Sequence, residues 1–577
     1  MSNLTSPFPS ATAVRRSWAG LSLLIAGWAA PACAQSDTLD LDVTFVGNRE
    51  MLLQDAHKLL VWPSIRDMGV DKPVFNYELL PKRMIVAPEF ERVEAKRVDV
   101  STPLPLLYKG YARLGFGMYA SPVAELAYTD VRSRKSSWGV HGQHRSSNGG
   151  FDVADSIPQR FSNSELSAWA KRFWKRETLT FDGFVAQQGL SYLGLDSGVV
   201  VPVDAETALR ERYGRWGVGV RSESTRKDSA DWQTTAGLAY RHLWNTGTVT
   251  EHSVLTDGRT GTFRDGLEME LLWDGVFNAH RIDSTASARQ VLVHVQPQVS
   301  KQAGALRSTL GAAIVVDARG TRPFQVFPVA EANLQLFKGL MVPYARISGG
   351  VDNNRLQTTL DQNPYVNPEM ELKNTYRRFD FRAGLRGHVT SHFHYHGRLS
   401  VEHFEQYMYF VNDSAAAGGE RFIPLYDTLT VTTLGGDARL QLSESFDLWG
   451  GVDLMTYGKH NQLHAWNLPN MVWRVGMHYN WHDKFALELD AEVVGARQGA
   501  SLSPTGLGAD AVLGEGLLGQ QRELPAFADV NLKIEYFYNK RMSAWITASN
   551  LAGARYSIWN NYPVQGFLAR FGASYAF

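Results

Sequence analysis

The chain has 577 residues, and its 58 lysines and arginines equal its 58 aspartates and glutamates, a neutral balance that argues against a nucleic-acid-binding protein. Its hydrophobic fraction is 44% but its mean hydropathy is −0.24, so apolar residues are interleaved with polar ones rather than massed. Aromatic residues make up 11% of the chain, a stock suited to girdles where hydrocarbon meets water, because the ring favours the apolar side and a polar tip the wet side.

The N-terminus reads as a signal peptide over residues 1–34. Arg15 and Arg16 supply the positive start, Trp18 to Pro31 the short apolar core, and Ala32-Cys33-Ala34 before Gln35 the small-residue cleavage pattern. The apolar core is too short to span a bilayer. Lipoprotein-type cleavage before Cys33 would need a large aliphatic residue that Ala30-Pro31-Ala32 lacks. Cys33 is the single cysteine, so the processed chain is expected to hold no disulfide and no thiolate metal site. Beyond residue 35 no stretch approaches the roughly 18 consecutive apolar residues of a membrane helix. A membrane crossing must therefore use strands, and strands in hydrocarbon must close into a barrel to pair every backbone group.

Residues 35–109 carry Pro63, Pro73, Pro81, Pro88, Pro103 and Pro105 with mixed charge and short apolar runs. They read as a largely extended periplasmic or lumen-lying segment, with a plain flexible linker as the equal alternative. From residue 110 to the end, period-two alternation takes over and predicts an all-β, transmembrane antiparallel barrel spanning 110–577. Strands are predicted near 110–120, 122–131, 136–145, 163–172, 178–190, 209–224, 229–243, 249–257, 262–276, 284–299 and 306–319. The others fall near 322–337, 341–352, 375–388, 392–411, 422–442, 446–457, 470–481, 485–497, 525–538, 542–549 and 564–577, about 22 in all. The last is the clearest: Phe567, Ala569, Phe571, Ala573, Tyr575 and Phe577 share one face, against Leu568, Arg570, Gly572, Ser574 and Ala576 on the other. A soluble sandwich also alternates, but here the connections differ by rim. Ser443-Glu444-Ser445, His482-Asp483-Lys484 and Asn539-Lys540-Arg541 are short, whereas 146–162, 191–208, 353–374, 412–421, 458–469 and 498–524 are long. Short periplasmic turns and long extracellular loops are the outer-membrane pattern.

The run Ala544-Trp545-Ile546-Thr547-Ala548-Ser549-Asn550-Leu551, followed by Arg555-Tyr556, Pro563, Gly566 and the terminal strand, resembles the last hairpin of TonB-dependent outer-membrane receptors. Ala465-Trp466-Asn467-Leu468-Pro469-Asn470 is similar to an external-loop fragment of that family. The resemblance implies a barrel wide enough to need a plug, a ligand receptor or transporter, and possible partnership with TonB. It implies that Asn550, Leu551, Arg555 and Tyr556 form the family hairpin. It also implies that Phe567, Phe571, Tyr575 and Phe577 form the signal read by the barrel-assembly machinery. Family members carry a longer N-terminal plug than the 75 residues of 35–109, so the chain resembles plug-deficient, barrel-only relatives. Asp37, Leu39, Leu41 and Val43 alternate with polar neighbours and are the candidate strand-pairing segment for TonB.

No catalytic pattern emerges. There is no Gly-x-Ser-x-Gly elbow, no His-Glu-x-x-His helix and no phosphate loop, and Gly506 to Ala511 matches a dinucleotide fingerprint only as a string. His392, His394 and His396, with Glu402 at the same parity, can be a metal cluster or a plain polar lumen face. The Glu268/Glu270 and Glu488/Asp490/Glu492 ladders read as lumenal charge balanced by Arg215, Arg221, Arg474 and Lys533. The expected protein is a non-enzyme without metal or cofactor, surrounded by outer-membrane lipid and lipopolysaccharide. A lumen this wide must be closed by residues 35–109, by inward-folded loops or by a separate plugging lipoprotein. The alternative function is a plugless scaffold serving lipoprotein assembly or export.

Overall fold

The computed structural model describes residues 107–577 except 131–132, 155–156, 196–208, 226–230, 283–286, 321, 415–418, 460 and 503–517. The signal peptide, Cys33, all of the 35–109 segment up to residue 106, the candidate TonB-pairing residues Asp37, Leu39, Leu41 and Val43, and the Gly506–Ala511 string lie outside the described residues.

Period-two patterning produces strands throughout. The first eight are β1 Gly110–Gly117, β2 Val123–Thr129, β3 Ser136–Asn148, β4 Arg160–Phe173, β5 Glu177–Ser191, β6 Arg210–Ser224, β7 Gln233–Asn245 and β8 Thr250–Arg264. Next come β9 Leu267–Arg281, β10 Ser287–Ala303, β11 Leu306–Asp317, β12 Phe324–Leu334, β13 Val342–Asp352, β14 Thr375–Thr390, β15 Phe393–Asn412, β16 Phe422–Ser443 and β17 Phe446–Lys459. The series ends with β18 Met471–Trp481, β19 Phe485–Val494, β20 Arg497–Leu502, β21 Leu518–Leu524, β22 Phe527–Phe537, β23 Met542–Ser549, β24 Ser557–Trp559, β25 Tyr562–Pro563 and β26 Leu568–Ala576. Each barrel strand pairs antiparallel with the next. β19 joins β22, β23 joins β26, and β26 closes on β1 from Tyr111↔Ala576 to Gly117↔Arg570. The hairpins β20–β21 and β24–β25 stand outside this wall, leaving a closed barrel of 22 staves.

The faces are the inverse of a soluble protein. Leu114, Phe116, Leu126, Leu166, Val185, Val218, Leu310, Leu434, Ile546 and Phe571 point outward and are more than half exposed, while Arg113, Glu125, Arg215, Glu402 and Ser574 are buried on the inner side. Water would penalise that arrangement and hydrocarbon rewards it. Trp138, Trp174, Trp481, Phe485, Tyr538 and Tyr575 gather as exposed rings at the short-turn rim, where an interfacial girdle belongs.

The predicted strands are all present, with one register corrected. A break was expected between 257 and 262, but β8 runs on to Arg264 and turns at Asp265-Gly266, with φ of 53° and 76°. Asp-Gly with positive φ at both positions is the two-residue turn whose twist matches a hairpin, a signal the alternation had masked. His482-Asp483 makes the same kind of turn, with φ of 52° and 54°, and Lys484 N donates to Trp481 O at 3.0 Å. The expected loop 498–524 is also partly ordered as β20–β21, and Ser501 of β20 lies parallel to Asn412 at the tip of β15.

The closing seam is clamped by an indole. Trp545 of β23 is buried on the lumenal side over the facing glycines Gly115 and Gly572, and the Arg113 guanidinium lies 4.0 Å from its ring centre. An aromatic covering a cross-strand glycine shields backbone that a side chain would otherwise protect.

Candidate functional site

Charge on the lumenal wall is organised as cross-strand pairs. On β13–β15, Arg377 holds Asp352 at 2.9 Å, while Arg382 bridges Asp380 at 2.8 Å and Glu402 at 2.7 Å. Arg398 of β15 reaches both Asp437 and Asp453, and Arg474 joins Asp453 at 3.4 Å to Glu492 at 3.3 Å. Lys533 lies 3.3 Å from Glu488. Arg474 and Lys533 thus pair with the acids expected of them, whereas Glu268 and Glu270 pair with Arg259, Arg307 also meets Glu268, and Arg221 serves Asp257. Arg215 does something else: it leaves the wall to meet a loop.

That loop is the connection from β13 to β14. It contains a short helix, α1 (Leu356–Gln362), and it folds inward. Glu251 of β8, almost fully buried, accepts hydrogen bonds from Leu356 N at 2.7 Å and Gln357 N at 3.1 Å, satisfying two amides that the helix leaves free. Asn278 Nδ2 donates to the same carboxylate at 3.2 Å. Arg215 of β6 reaches Asp361 of α1 at 2.6 Å. Further along, Gln290 Nε2 of β10 donates to Leu372 O at 2.8 Å, and Asn374 Nδ2 donates to Asp317 of β11 at 2.8 Å. Asn367 N donates to Phe422 O at 2.8 Å and Phe422 N to Tyr365 O at 3.0 Å, which ties the loop to β16. Residues 353–374 therefore form a strap across the mouth. Arg355, buried just before α1, has its guanidinium depressed by burial, and its Nε and Nη1 meet no protein acceptor.

The strap's apolar side chains join a core with the other long loops. Leu356, Leu360, Val366, Met370 and Leu372 pack with Tyr192, Leu209, Tyr213, Leu243, Phe422 and Tyr562. Tyr365 stacks on Tyr562 with centroids 3.7 Å apart, and burial pushes the Tyr562 phenol well above its ordinary range. Tyr562 OH also donates to Glu420 O, and burial raises the Glu420 carboxyl. The widest reach is between Arg421, at the head of β16, and Tyr192, at the tip of β5: the guanidinium lies 4.9 Å from the ring centre. β5 and β16 are eleven staves apart in either direction around 22, so this contact spans the mouth.

A second core braces one side. Tyr409, Val411, Leu425 and Leu429 pack against Trp466, Ala500 and Leu502, while Met408, Phe410 and Phe422 belong to the first core. Alternate residues of the β15–β16 tips thus serve two apolar cores on opposite faces.

The resemblance-bearing residues lie in this region. Asn550, with φ +50°, ends β23; its Nδ2 donates to Ala554 O at 2.9 Å and its Oδ1 accepts from Ala554 N at 2.9 Å. Leu551 is exposed, Arg555 pairs with Asp152 at 3.3 Å, and Tyr556 stacks on Phe527 at 3.8 Å with an interplanar angle of 9°. Trp466 is buried, and Asn467 Nδ2 donates to Phe410 O at 2.8 Å, so that fragment pins its loop to β15. The β20–β21 hairpin is docked on the same rim: Arg497 donates to Ser557 O and Ile558 O at 2.6 Å each, and burial lowers its guanidinium to about 10. Of the predicted assembly-signal residues, Phe571 faces outward within the wall of β26, Tyr575 and Phe577 face outward at the short-turn rim, and Phe567 is half-buried just before β26 at the long-loop end.

The histidines do not converge. His396 shares a 2.7 Å hydrogen bond with Tyr344, His392 bonds Ser391 in the turn, His394 lies beside His388, and Glu402 is taken by Arg382. Among the described residues no group of three or more His, Cys, Asp or Glu is arranged to hold a metal ion.

Glu251, Asp361, Arg421 and Tyr192 were missed by sequence reasoning, and Arg215 was expected to balance the acid ladders of the wall rather than to hold a loop. A signal existed: 353–374 reads as a loop, yet it holds Leu356, Leu360, Val366, Met370 and Leu372, too many apolar residues for a solvated connection.

No protein-family model matches the chain, and no curated protein matches it. Among solved structures, the ferric enterobactin receptor PfeA of Pseudomonas aeruginosa (a double mutant) superposes with a TM-score of 0.59 at 12% identity, covering 81% of this chain and 80% of that one. The siderophore receptor PirA of Acinetobacter baumannii gives 0.62 at 9% identity, covering 82% and 81%. The FrpB iron transporter of Neisseria meningitidis gives 0.63 at 8% identity, covering 82% of each. At these identities the likeness is one of fold, and the fold is that of the outer-membrane receptor barrels.

Proposed function

We propose that this chain is an outer-membrane receptor that captures a ligand at the loop-closed mouth and passes it through the barrel, with the strap 353–374 as its gate. The observation that carries this reading is the contact of Arg421 with Tyr192 across the mouth: a barrel of this width encloses a lumen that its wall side chains do not fill, and its long loops meet over it. A permanent wall needs no such roof, whereas a gated passage does.

The cargo class follows from the structural neighbours, whose names specify ferric enterobactin, siderophore and iron. We assign a ferric chelate on that basis. Buried Arg355, beside the strap helix and with two nitrogens lacking a protein acceptor, suits an anionic one. The route to the membrane is export by residues 1–34, then assembly directed by the strand ending in Phe567, Phe571, Tyr575 and Phe577. Residues 35–109 stand in place of a longer plug, and Asp37, Leu39, Leu41 and Val43 offer TonB an edge to pair with.

Uptake of radiolabelled ferric siderophores by cells with and without the gene tests the reading. Iron-limited uptake of at least one chelate is expected to fall to background on deletion, and to fall equally when TonB is removed or residues 37–45 are excised. Uptake unchanged across a panel of chelates would dismiss the receptor assignment; uptake that survives loss of TonB would dismiss the energised route alone.

A further inference from the structure

A hydrogen-bonded serine and histidine stand on the outward face of the barrel, where no lumenal role explains them. On β2–β5 this face is apolar at mid-barrel: Leu126, Leu166 and Val185 share one row, with Gly142 between the two leucines, and all three are more than half exposed. The next row toward the long loops, on the same face, carries His144, Ser164 and Gln187 as direct cross-strand partners on β3, β4 and β5. Hydrocarbon disfavours such a row, and an ionisable side chain on a lipid-facing wall points to function. The row continues through Gly214 to Trp244, whose indole lies over that glycine, and Trp216 of the apolar row packs 5.2 Å from Tyr240. Amphipathic rings mark the level where acyl chains give way to headgroups, which is the level of a lipid's carboxylic esters.

The polar atoms are joined in the order an acyl transfer needs. Ser164 Oγ lies 2.8 Å from His144 Nδ1, and His144 Nε2 lies 3.2 Å from Ser146 Oγ. With its proton on Nε2, the ring donates to Ser146 and accepts from the Ser164 hydroxyl at Nδ1, as a base beside a nucleophile does. Ser146 works only through the ring and is a positioning residue. The oxyanion that forms in acyl transfer also needs a donor. Backbone amides of β4 belong to the ladders with β3 and β5, so a side chain has to supply it. Gln187 is exposed and stands directly across from Ser164, on the side away from His144. Cross-strand partners hold their β-carbons about 5 Å apart, within reach of a glutamine amide. Below His144, Gly142 leaves a trough between Leu126 and Leu166 in which an acyl chain can lie.

We propose that His144, Ser164 and Gln187 form a lipid-facing esterase site, which hydrolyses a long-chain carboxylic ester of an outer-leaflet lipid. Ser164 Oγ adds to the ester carbonyl carbon while His144 Nδ1 takes the hydroxyl proton and the Gln187 amide donates to the oxyanion. Collapse breaks the bond to the alkoxy oxygen, which leaves as the alcohol with the proton from Nδ1, and the acyl group stays on Ser164. Water then adds to the acyl-serine with the same nitrogen as base, the fatty acid departs, and Ser164 recovers its proton. The site is separate from the strap and rests only on the orientation with the long loops outside.

The test uses the full processed chain folded in detergent, with its barrel verified by heat-modifiable migration. Mixed micelles carry a diacyl glycerophospholipid in one arm and lipid A with ester-linked acyl chains in the other. Fatty acid is expected to be released in at least one arm, and the arm that yields it identifies the lipid. A long-chain fluorophosphonate is expected to label Ser164 of the wild type, located by peptide mass spectrometry. S164A and H144A are each expected to slow release by about 100-fold to 10,000-fold, and Q187A by about 100-fold. S146A is expected to lower kcat with KM unchanged, and S146T to restore it. No release in either arm by a heat-modifiable wild type, unchanged release by S164A, or label on another residue overturns the site. Ferric-chelate uptake by S164A cells is expected to match the wild type, so failure of the esterase and failure of the receptor reading are distinct results.

Discussion

Gly572→Val is expected to prevent the barrel from closing. Gly572 faces Gly115 across the seam between the last strand and the first, and a β-carbon there would overlap the Leu114 carbonyl oxygen and the Trp545 ring. The obstruction includes backbone rather than a flexible side-chain tip, so relief requires β1 and β26 to separate at the one junction that abolishes free edges. An unclosed barrel leaves backbone groups unpaired in hydrocarbon, at several kcal/mol each. The expected readout is loss of heat-modifiable migration and degradation of the chain before it accumulates in the outer membrane. Gly553→Ala is the control, because nothing lies within 4 Å of its β-carbon position and it sits in a loop; its strain is only that of φ +60°. Normal assembly of the Gly572 variant would show that the seam is looser than its packing indicates.

Glu251→Ala is expected to release the strap while leaving the barrel intact. The carboxylate is buried, caps two amides of α1 and accepts from Asn278, so its loss leaves three donors without a partner and removes the negative charge that acts most strongly on Arg355. Unmade buried bonds of this kind cost about 2–4 kcal/mol in total. Because the strap is a loop held by few anchors, the loss falls on local opening rather than global unfolding. Amide exchange at Leu356 and Gln357 should accelerate by roughly 30-fold to 1,000-fold, with protection of the staves unchanged. Cells carrying the variant should admit antibiotics too large for ordinary porins. Glu251→Gln, which keeps an acceptor oxygen but loses the charge, should fall between. Wild-type exchange at both amides in Glu251→Ala would mean that the apolar core alone holds the mouth shut.

The staves were legible in the sequence because strand patterning is local. Every second side chain of a strand meets the same solvent, so lipid outside and water inside imprint a two-residue period, as in Phe567 to Phe577, that needs no knowledge of the neighbours. Loop lengths likewise separated a rim of short turns from a rim of long loops. Where reading failed, a local signal was overridden by another: alternation continued through Arg259 to Arg264, and the Asp265-Gly266 turn went unremarked.

The mouth was not legible. Arg421 and Tyr192 are 229 positions apart by their numbers, Glu251 and Leu356 are 105 apart, and neither pair carries a spacing that announces contact. Their meeting depends on closure: only when β26 returns to β1 do loops from opposite staves confront each other over a shared opening. The sequence alone therefore determined that this chain is a lipid-facing barrel of about 22 strands. The tertiary structure decided that its long loops turn inward, because five apolar residues on a 353–374 strap bury themselves more favourably against the other loops than in water.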